Sequence, residues 1–204
     1  MKGDHYFSEN PNSRYIEEDI EVKVLGMRFN IKSASGIFSR SELDSASKLL
    51  IETVFPLLCN DERILDLGCG NGVIGISLAL KKPDCSFVLS DINNRAVRVA
   101  RKNRKIIGLS NVKVVQSNLF EKIKGCFDRI VCNPPMATPK EFRQRMIKES
   151  FGYLYPKGNL YMVARHKKGG NIIEKGIKEV FGNCSVLTKK GGFWVYSGEK
   201  QKQL

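Results

Sequence analysis

The feature that most constrains this chain is a short apolar strand that ends on an acid and a run of glycines, followed at once by a helix. Ile64-Leu65-Asp66-Leu67 is the strand, Gly68-Cys69-Gly70-Asn71-Gly72 the turn, and Val73–Leu80 the helix. Downstream the pattern repeats. Ser86–Ser90 reads as a strand ending at Asp91, Asn93–Lys105 as a helix, Val112–Gln116 as a strand and Phe127–Cys132 as a strand ending at Asn133. Glu141–Phe151 is helical, Asn159–Ala164 a strand, and Asn171–Phe181 a helix. Strands that alternate with helices of this length predict a doubly wound, mostly parallel α/β sheet. Ser185–Thr188 and Phe193–Ser197, separated by Lys189–Gly192, predict a C-terminal antiparallel hairpin and bring the expected sheet to seven strands. Upstream, Glu21–Leu25 and Met27–Ile31 alternate around Gly26 as a small β-hairpin, and Leu43, Leu49, Leu50, Val54 and Phe55 have helical spacing. Residues 1–60 are therefore expected to be a lead-in packed on a core of residues 61–204, in one structural domain.

The glycine loop lies at the carboxyl end of its strand, where open α/β sheets bind ligands. Two ligands compete for it. Gly70-x-Gly72-x-x-Gly75 matches the dinucleotide fingerprint, and Asp91 stands where a ribose-binding acid belongs. Asp66 argues the other way. A carboxylate at the mouth of the loop repels a pyrophosphate by roughly 3 kcal/mol at ~5 Å and an effective dielectric near 20. It suits a ligand carrying an ammonium and a sulfonium, as S-adenosylmethionine does. The residues expected to hold that cofactor are Asp66, Gly68, Cys69, Gly70, Asn71, Gly72, Asp91 and Ile92. The polar groups of Gln116-Ser117-Asn118-Leu119 are expected at the adenine edge, and Asn133 is expected beside the methyl group.

Asn133-Pro134-Pro135-Met136 closes the fourth core strand. Two prolines fix φ and remove two backbone donors, leaving a stiff loop of carbonyls beside an amide. Such an acceptor-rich site suits an amine conjugated to a ring, which is a poor nucleophile until its hydrogens are held and its nitrogen pyramidalised. Asn133 Oδ1 and the Pro134 carbonyl are the acceptors this reading names. An aspartate at 133 would keep the acceptor oxygen and is expected to be less damaging than alanine. Catalysis of this kind is positioning and electrostatics.

Taken together, these motifs resemble class I S-adenosylmethionine-dependent methyltransferases that act on planar nitrogens. Gly36-Ile37-Phe38-Ser39, Leu43-Asp44 and His5-Tyr6-Phe7-Ser8 narrow the resemblance to small-subunit ribosomal RNA guanine-N2 methyltransferases, and especially to short single-domain archaeal-type members. The resemblance implies that Asn118 in particular flanks the adenine, and that Asn133, Pro134, Pro135 and Met136 hold the target base. It departs in two ways: bacterial members carry a second, degenerate half, and they usually have Phe where this chain has Met136. A thioether still packs on an aromatic base.

Charge points to the same class of partner. Lys and Arg number 34 against 21 Asp and Glu, a net +13. Such a balance attracts nucleic acid. Phe38, Lys140, Arg143 and Arg165 are the expected substrate contacts, with Arg145, Lys148 and His166-Lys167-Lys168 on the same rim. Arg95, Arg98, Arg101, Lys102 and Lys105 form one basic face of the Asn93–Lys105 helix, more simply read as its solvated side. A target base in a duplex must be flipped out to enter such a pocket. None of the six cysteines stands in a C-x-x-C pair, so no metal is expected, and free thiols fit a reducing cytoplasm. The longest apolar run, Val73–Leu80, is too short to span a bilayer, and the polar start resembles no signal peptide. A monomer or homodimer is expected. The alternatives are a transfer RNA guanine (N2 or N7), a protein glutamine amide, and a non-catalytic RNA-binding module.

Overall fold

The structure is a computed structural model and describes residues 14–37, 43–135 and 139–202. A seven-stranded sheet carries the fold, in the order β5-β4-β3-β6-β7-β9-β8. Its strands are β3 (Arg63–Leu67), β4 (Ser86–Asp91), β5 (Val112–Gln116), β6 (Phe127–Cys132), β7 (Leu154–Arg165), β8 (Ser185–Lys190) and β9 (Phe193–Glu199). The five strands β3 to β7 pair in parallel, and β9 runs antiparallel to both β7 and β8. The expected α/β architecture and C-terminal hairpin are both present. The hairpin's second strand lies inside the sheet and its first forms the edge.

Side chains alternate across the sheet and build two cores. Ile64, Phe87, Leu89 and Val131 pack with α1 (Ser45–Val54), α2 (Val73–Lys81) and α3 (Asn94–Ile107) on one face. Leu65, Leu67, Val88 and Ile130 pack with α4 (Lys140–Gly152) and α5 (Gly170–Phe181) on the other. Asp66 falls on the first face, under α2, at a position the alternation reserves for an apolar side chain.

The lead-in hairpin, β1 (Glu17–Val24) with β2 (Met27–Ala34), is a separate two-stranded sheet. Its Ile20, Val22, Val24 and Ile31 are buried in the same cluster as Leu50 and Ile76. The hairpin covers part of the basic face of α3. Arg95 Nη1 donates to the Ser35 carbonyl at 2.6 Å, Arg95 and Arg98 lie over the Tyr15 ring, and Lys102 pairs with Glu17 at 2.5 Å. Asn103, fully buried on the opposite stripe of α3, fills the open edge of β2. Its Oδ1 accepts from Lys32 N at 2.7 Å, and its Nδ2 donates to the carbonyls of Lys32 (2.9 Å) and Asn71 (2.8 Å). A single amide thus ties the hairpin to the glycine loop.

β7 begins earlier than its apolar pattern indicates. Leu154 pairs with Phe127, and a register shift then brings Asn159 opposite Arg129. The intervening Tyr155-Pro156-Lys157-Gly158 has the composition of a turn, and Lys157 adopts φ +69°.

Candidate active site

The glycine loop is held open by backbone bonds to its neighbour strand. Gly68 N and Cys69 N donate to the Ser90 carbonyl at 2.8 and 2.9 Å. Gly70 N donates to Asp91 Oδ2 at 2.9 Å, and Asn93 N to Asp91 Oδ1 at 2.9 Å. Asn71 Oδ1 accepts from Val73 N, the first residue of α2, at 3.1 Å. Gly68 and Gly70 take φ of +73° and +56°, where a side chain is strained. Gly75 has another role. A Cβ there would stand 2.6 Å from Leu89 Cδ1, so only glycine lets α2 approach closely enough for Gly75 N to reach Asp66 Oδ2 at 2.9 Å.

Two carboxylates dominate the electrostatics. Asp66 is fully buried, and its Oδ1 has no hydrogen-bond partner among the described residues. Burial, opposed by the Gly75 N–H and reinforced by the Asp91 charge, raises its carboxyl from 3.8 to about 7. Burial likewise raises Asp91 to about 6, against the pull of the Asn93, Gly70 and Ile92 N–H groups. Neither acid forms an ion pair among the described residues. A cleft of about 880 Å³ with its open mouth is lined by Asp91, the glycine loop and apolar groups such as Ile37, Leu67, Ile74 and Leu119; Asp66 is buried and is not among its lining residues. Two buried acids without a cationic partner, one lining the cleft and one close to the loop that lines it, fit a ligand carrying an ammonium, as S-adenosylmethionine does, and disfavour a pyrophosphate.

The expected cofactor residues Asp91, Gly68, Cys69, Gly70, Asn71, Ile92 and Asn133 all line this cleft. Gly72 stands behind it, where a Cβ would meet Ile76 and Leu89 at 3.1 Å. Asn118 is not among the lining residues. Its amide donates to Glu121 Oε1 at 2.7 Å, while Ser117 and Leu119 face the cleft in its place. Burial pushes the Cys69 and Cys132 thiols well above their usual range, so both remain protonated.

Asn133 ends β6 with its amide directed at the start of α1. Nδ2 donates to Ser47 Oγ at 3.0 Å and points to Asp44 Oδ1 at 3.4 Å. Oδ1 takes no donor among the described residues and is left as an acceptor. Met136 and Phe38 lie outside the described residues. A second cleft, about 690 Å³ with its mouth, shares Asp44, Asn133 and Pro135 with the first and is walled by Pro134, Arg143 and Arg165. Arg143 is only 9 % exposed, its guanidinium lies against Gly169, and its Nε has no partner among the described residues. Arg165 sits over the Phe193 ring at 4.6 Å. Lys140 is exposed at the start of α4 and lines neither cleft.

Ser47 at the site, and Asn103 behind the loop on the Asn71 carbonyl, do not announce themselves in the sequence: Ser47 belongs to no motif, and Asn103 is a polar residue on an apolar stripe. Asp44 enters the sequence reading only through Leu43-Asp44, with no contact to Asn133 implied.

Strand order, glycine loop and acidic strand ends define a class I methyltransferase fold. Residues 28–197 match the methyltransferase small domain, and the chain belongs to that family. Bacillus subtilis protein YbxB is 33 % identical over 199 residues, which is 97 % of this chain and 98 % of that one. Ribosomal RNA small subunit methyltransferase C of Cronobacter sakazakii is 37 % identical over 171 residues, covering 81 % of this chain and 48 % of that protein. The chain thus spans about half the length of the methyltransferase C relatives. The Thermus thermophilus 16S rRNA N2 G1207 methyltransferase, solved with AdoMet and guanosine, superposes with a TM-score of 0.81 at 24 % identity, over 94 % of this chain and 52 % of that one. Among the described residues no helix is long and apolar enough to cross a membrane, and no cluster of His, Cys, Asp and Glu could hold a metal.

Proposed function

We propose that the chain is an S-adenosylmethionine-dependent RNA methyltransferase that acts on the exocyclic N2 amine of a guanine, most naturally in small-subunit ribosomal RNA. The observation that carries this reading is the amide of Asn133. Its NH₂ is engaged by Ser47 and Asp44, so its acceptor oxygen is reserved for a ligand where the acidic cleft meets the basic one.

S-adenosylmethionine supplies a methyl group on a positively charged sulfur. Asp66 holds its ammonium through the unpartnered Oδ1, Asp91 accepts from its ribose hydroxyls, and the loop Gly68–Gly72, with Ile92, walls it in. Asn133 Oδ1 and the Pro134 carbonyl accept the two hydrogens of the target amine. This holds the nitrogen lone pair out of conjugation and aims it at the methyl group. Their hydrogen bonds strengthen as the nitrogen pyramidalises, so they act on the transition state more than on binding. The second cleft admits the flipped nucleotide, with Arg143 and Arg165 on its backbone and Lys140 beyond its rim. A cytoplasmic monomer or homodimer is part of this proposal.

The decisive comparison is of N2-methylguanosine, by mass spectrometry of nuclease digests, in ribosomal and transfer RNA from cells with and without the gene. Loss of one N2-methylguanosine from small-subunit ribosomal RNA is expected. Loss from transfer RNA instead would reassign the substrate, and no loss in either pool would refute the proposal.

A further inference from the structure

Asp44 has one oxygen in use and one in reserve. It caps α1, and its Oδ1 accepts from Ala46 N at 3.1 Å and Ser47 N at 2.9 Å, with the Asn133 amide beyond them at 3.4 Å. Its Oδ2 is buried and has no hydrogen-bond partner among the described residues. No ion pair involving Asp44 occurs among those residues either. A buried carboxylate oxygen without a donor is unfavourable, and a ligand that brings one gains the difference. Asp44 lines both clefts, at the point where Asn133 joins them. The missing donor therefore belongs to the molecule whose amine Asn133 receives.

The chemistry of that molecule can be narrowed. Guanine carries its N2 amine beside a ring N1–H, so two donors stand side by side on one edge. The amines of adenine and cytosine stand beside bare ring nitrogens, which a carboxylate oxygen repels. We infer that Asp44 is the specificity-determining residue of the site: its Oδ2 accepts the N1–H of a guanine whose N2 amine is held by Asn133. This rests on the proposed guanine-N2 activity and adds the group that selects the base.

The test is equilibrium binding of three nucleosides to the full chain in the presence of S-adenosylhomocysteine. Guanosine offers N1–H. N1-methylguanosine has that hydrogen blocked, and 2-aminopurine riboside keeps the amine but presents N1 as an acceptor. The wild type is expected to bind guanosine on the order of 10- to 100-fold more tightly than either analogue, the range of one charge-assisted hydrogen bond. Asp44→Asn keeps a good helix cap. With its oxygen retained by α1, it turns an N–H toward the base, and the preference should swing toward 2-aminopurine riboside. A purely structural role would weaken all three together and leave their order unchanged. Equal wild-type affinity for guanosine and N1-methylguanosine would overturn the inference, whatever the variant does. So would a folded Asp44→Asn with the wild-type order. Absence of N2-methylguanosine from RNA would count against the activity alone, since the nucleoside order is measured without methyl transfer.

Discussion

Replacing Asp66 by Asn should stabilise the ligand-free chain and at the same time weaken its affinity for S-adenosylmethionine by about two to three orders of magnitude. The carboxyl is fully buried, with Oδ2 on the Gly75 N–H and Oδ1 unpartnered among the described residues. Burial is the main reason that it titrates at about 7 instead of 3.8. The folded chain thus keeps a proton that the unfolded chain has released, and stability falls as pH rises from about 4 to about 7. At ~1.4 kcal/mol per tenfold in proton affinity, the full penalty at pH 8 is about 4 kcal/mol. Asn keeps an acceptor for Gly75 and removes the charge, but leaves a buried NH₂ that costs about 1–3 kcal/mol. The net expectation is a gain of about 1–3 kcal/mol at pH 8, vanishing or reversing at pH 4. Cofactor binding moves the other way. Losing a desolvated partner for the ammonium, about 3–4 kcal/mol at an effective dielectric near 20, weakens binding by two to three orders of magnitude. Urea melts at pH 4 and pH 8, with calorimetric titration of S-adenosylmethionine, read both. In the wild type, affinity should rise between pH 5 and pH 8 with proton release on binding, because the cation favours the ionised acids. A variant less stable than wild type at pH 8, or one that binds the cofactor within threefold of it, would refute the reasoning.

Asn133→Ala should keep cofactor affinity and lose on the order of 10²–10³-fold in single-turnover methyl transfer, as for removal of one positioned polar group; retention of a third of the rate would exclude Asn133 as amine acceptor. Asn133→Asp should be equally impaired even though it keeps an acceptor oxygen, because the oxygen replacing Nδ2 would face Asp44 Oδ1 at 3.4 Å. RNA affinity should fall steeply with salt, and alanines at Lys140, Arg143 and Arg165 should each flatten the log–log slope by about 0.7–0.9 if the side chain meets a phosphate. Asn103→Ala strips the partners from Lys32 N, Lys32 O and Asn71 O, and should lower stability by about 2–4 kcal/mol in urea melts with unchanged m.

The legible parts of this protein are those whose cause is local. Strand and glycine loop stand next to each other in the chain, so Asp66, Gly68 and Gly70 could be read as one device, and the alternation of β3 to β6 with their helices gave away the sheet. Asn118 does not line the cleft, because periodicity locates the end of β5 but not the direction of each side chain in the turn beyond it. Leu119 at φ +49° leaves Asn118 on Glu121 and turns its neighbours to the cleft. Basic charge on α3 was readable, but its partial burial under Tyr15 and Glu17 depends on contacts such as Lys102–Glu17, 85 positions apart in sequence. The Asp44–Asn133 contact joins residues 89 positions apart, and the Asn103 bonds join positions 71 and 32 apart. A polar residue on the apolar stripe of α3, as at Asn103, says only that some buried partner exists, because the stripe fixes depth and not identity. The same holds for Asp44, where capping accounts for one carboxylate oxygen and says nothing of the other. What the sequence withholds is therefore the set of groups that orient the catalytic side chains. They act at the places where the lead-in and the core meet, and those places exist only once both have folded.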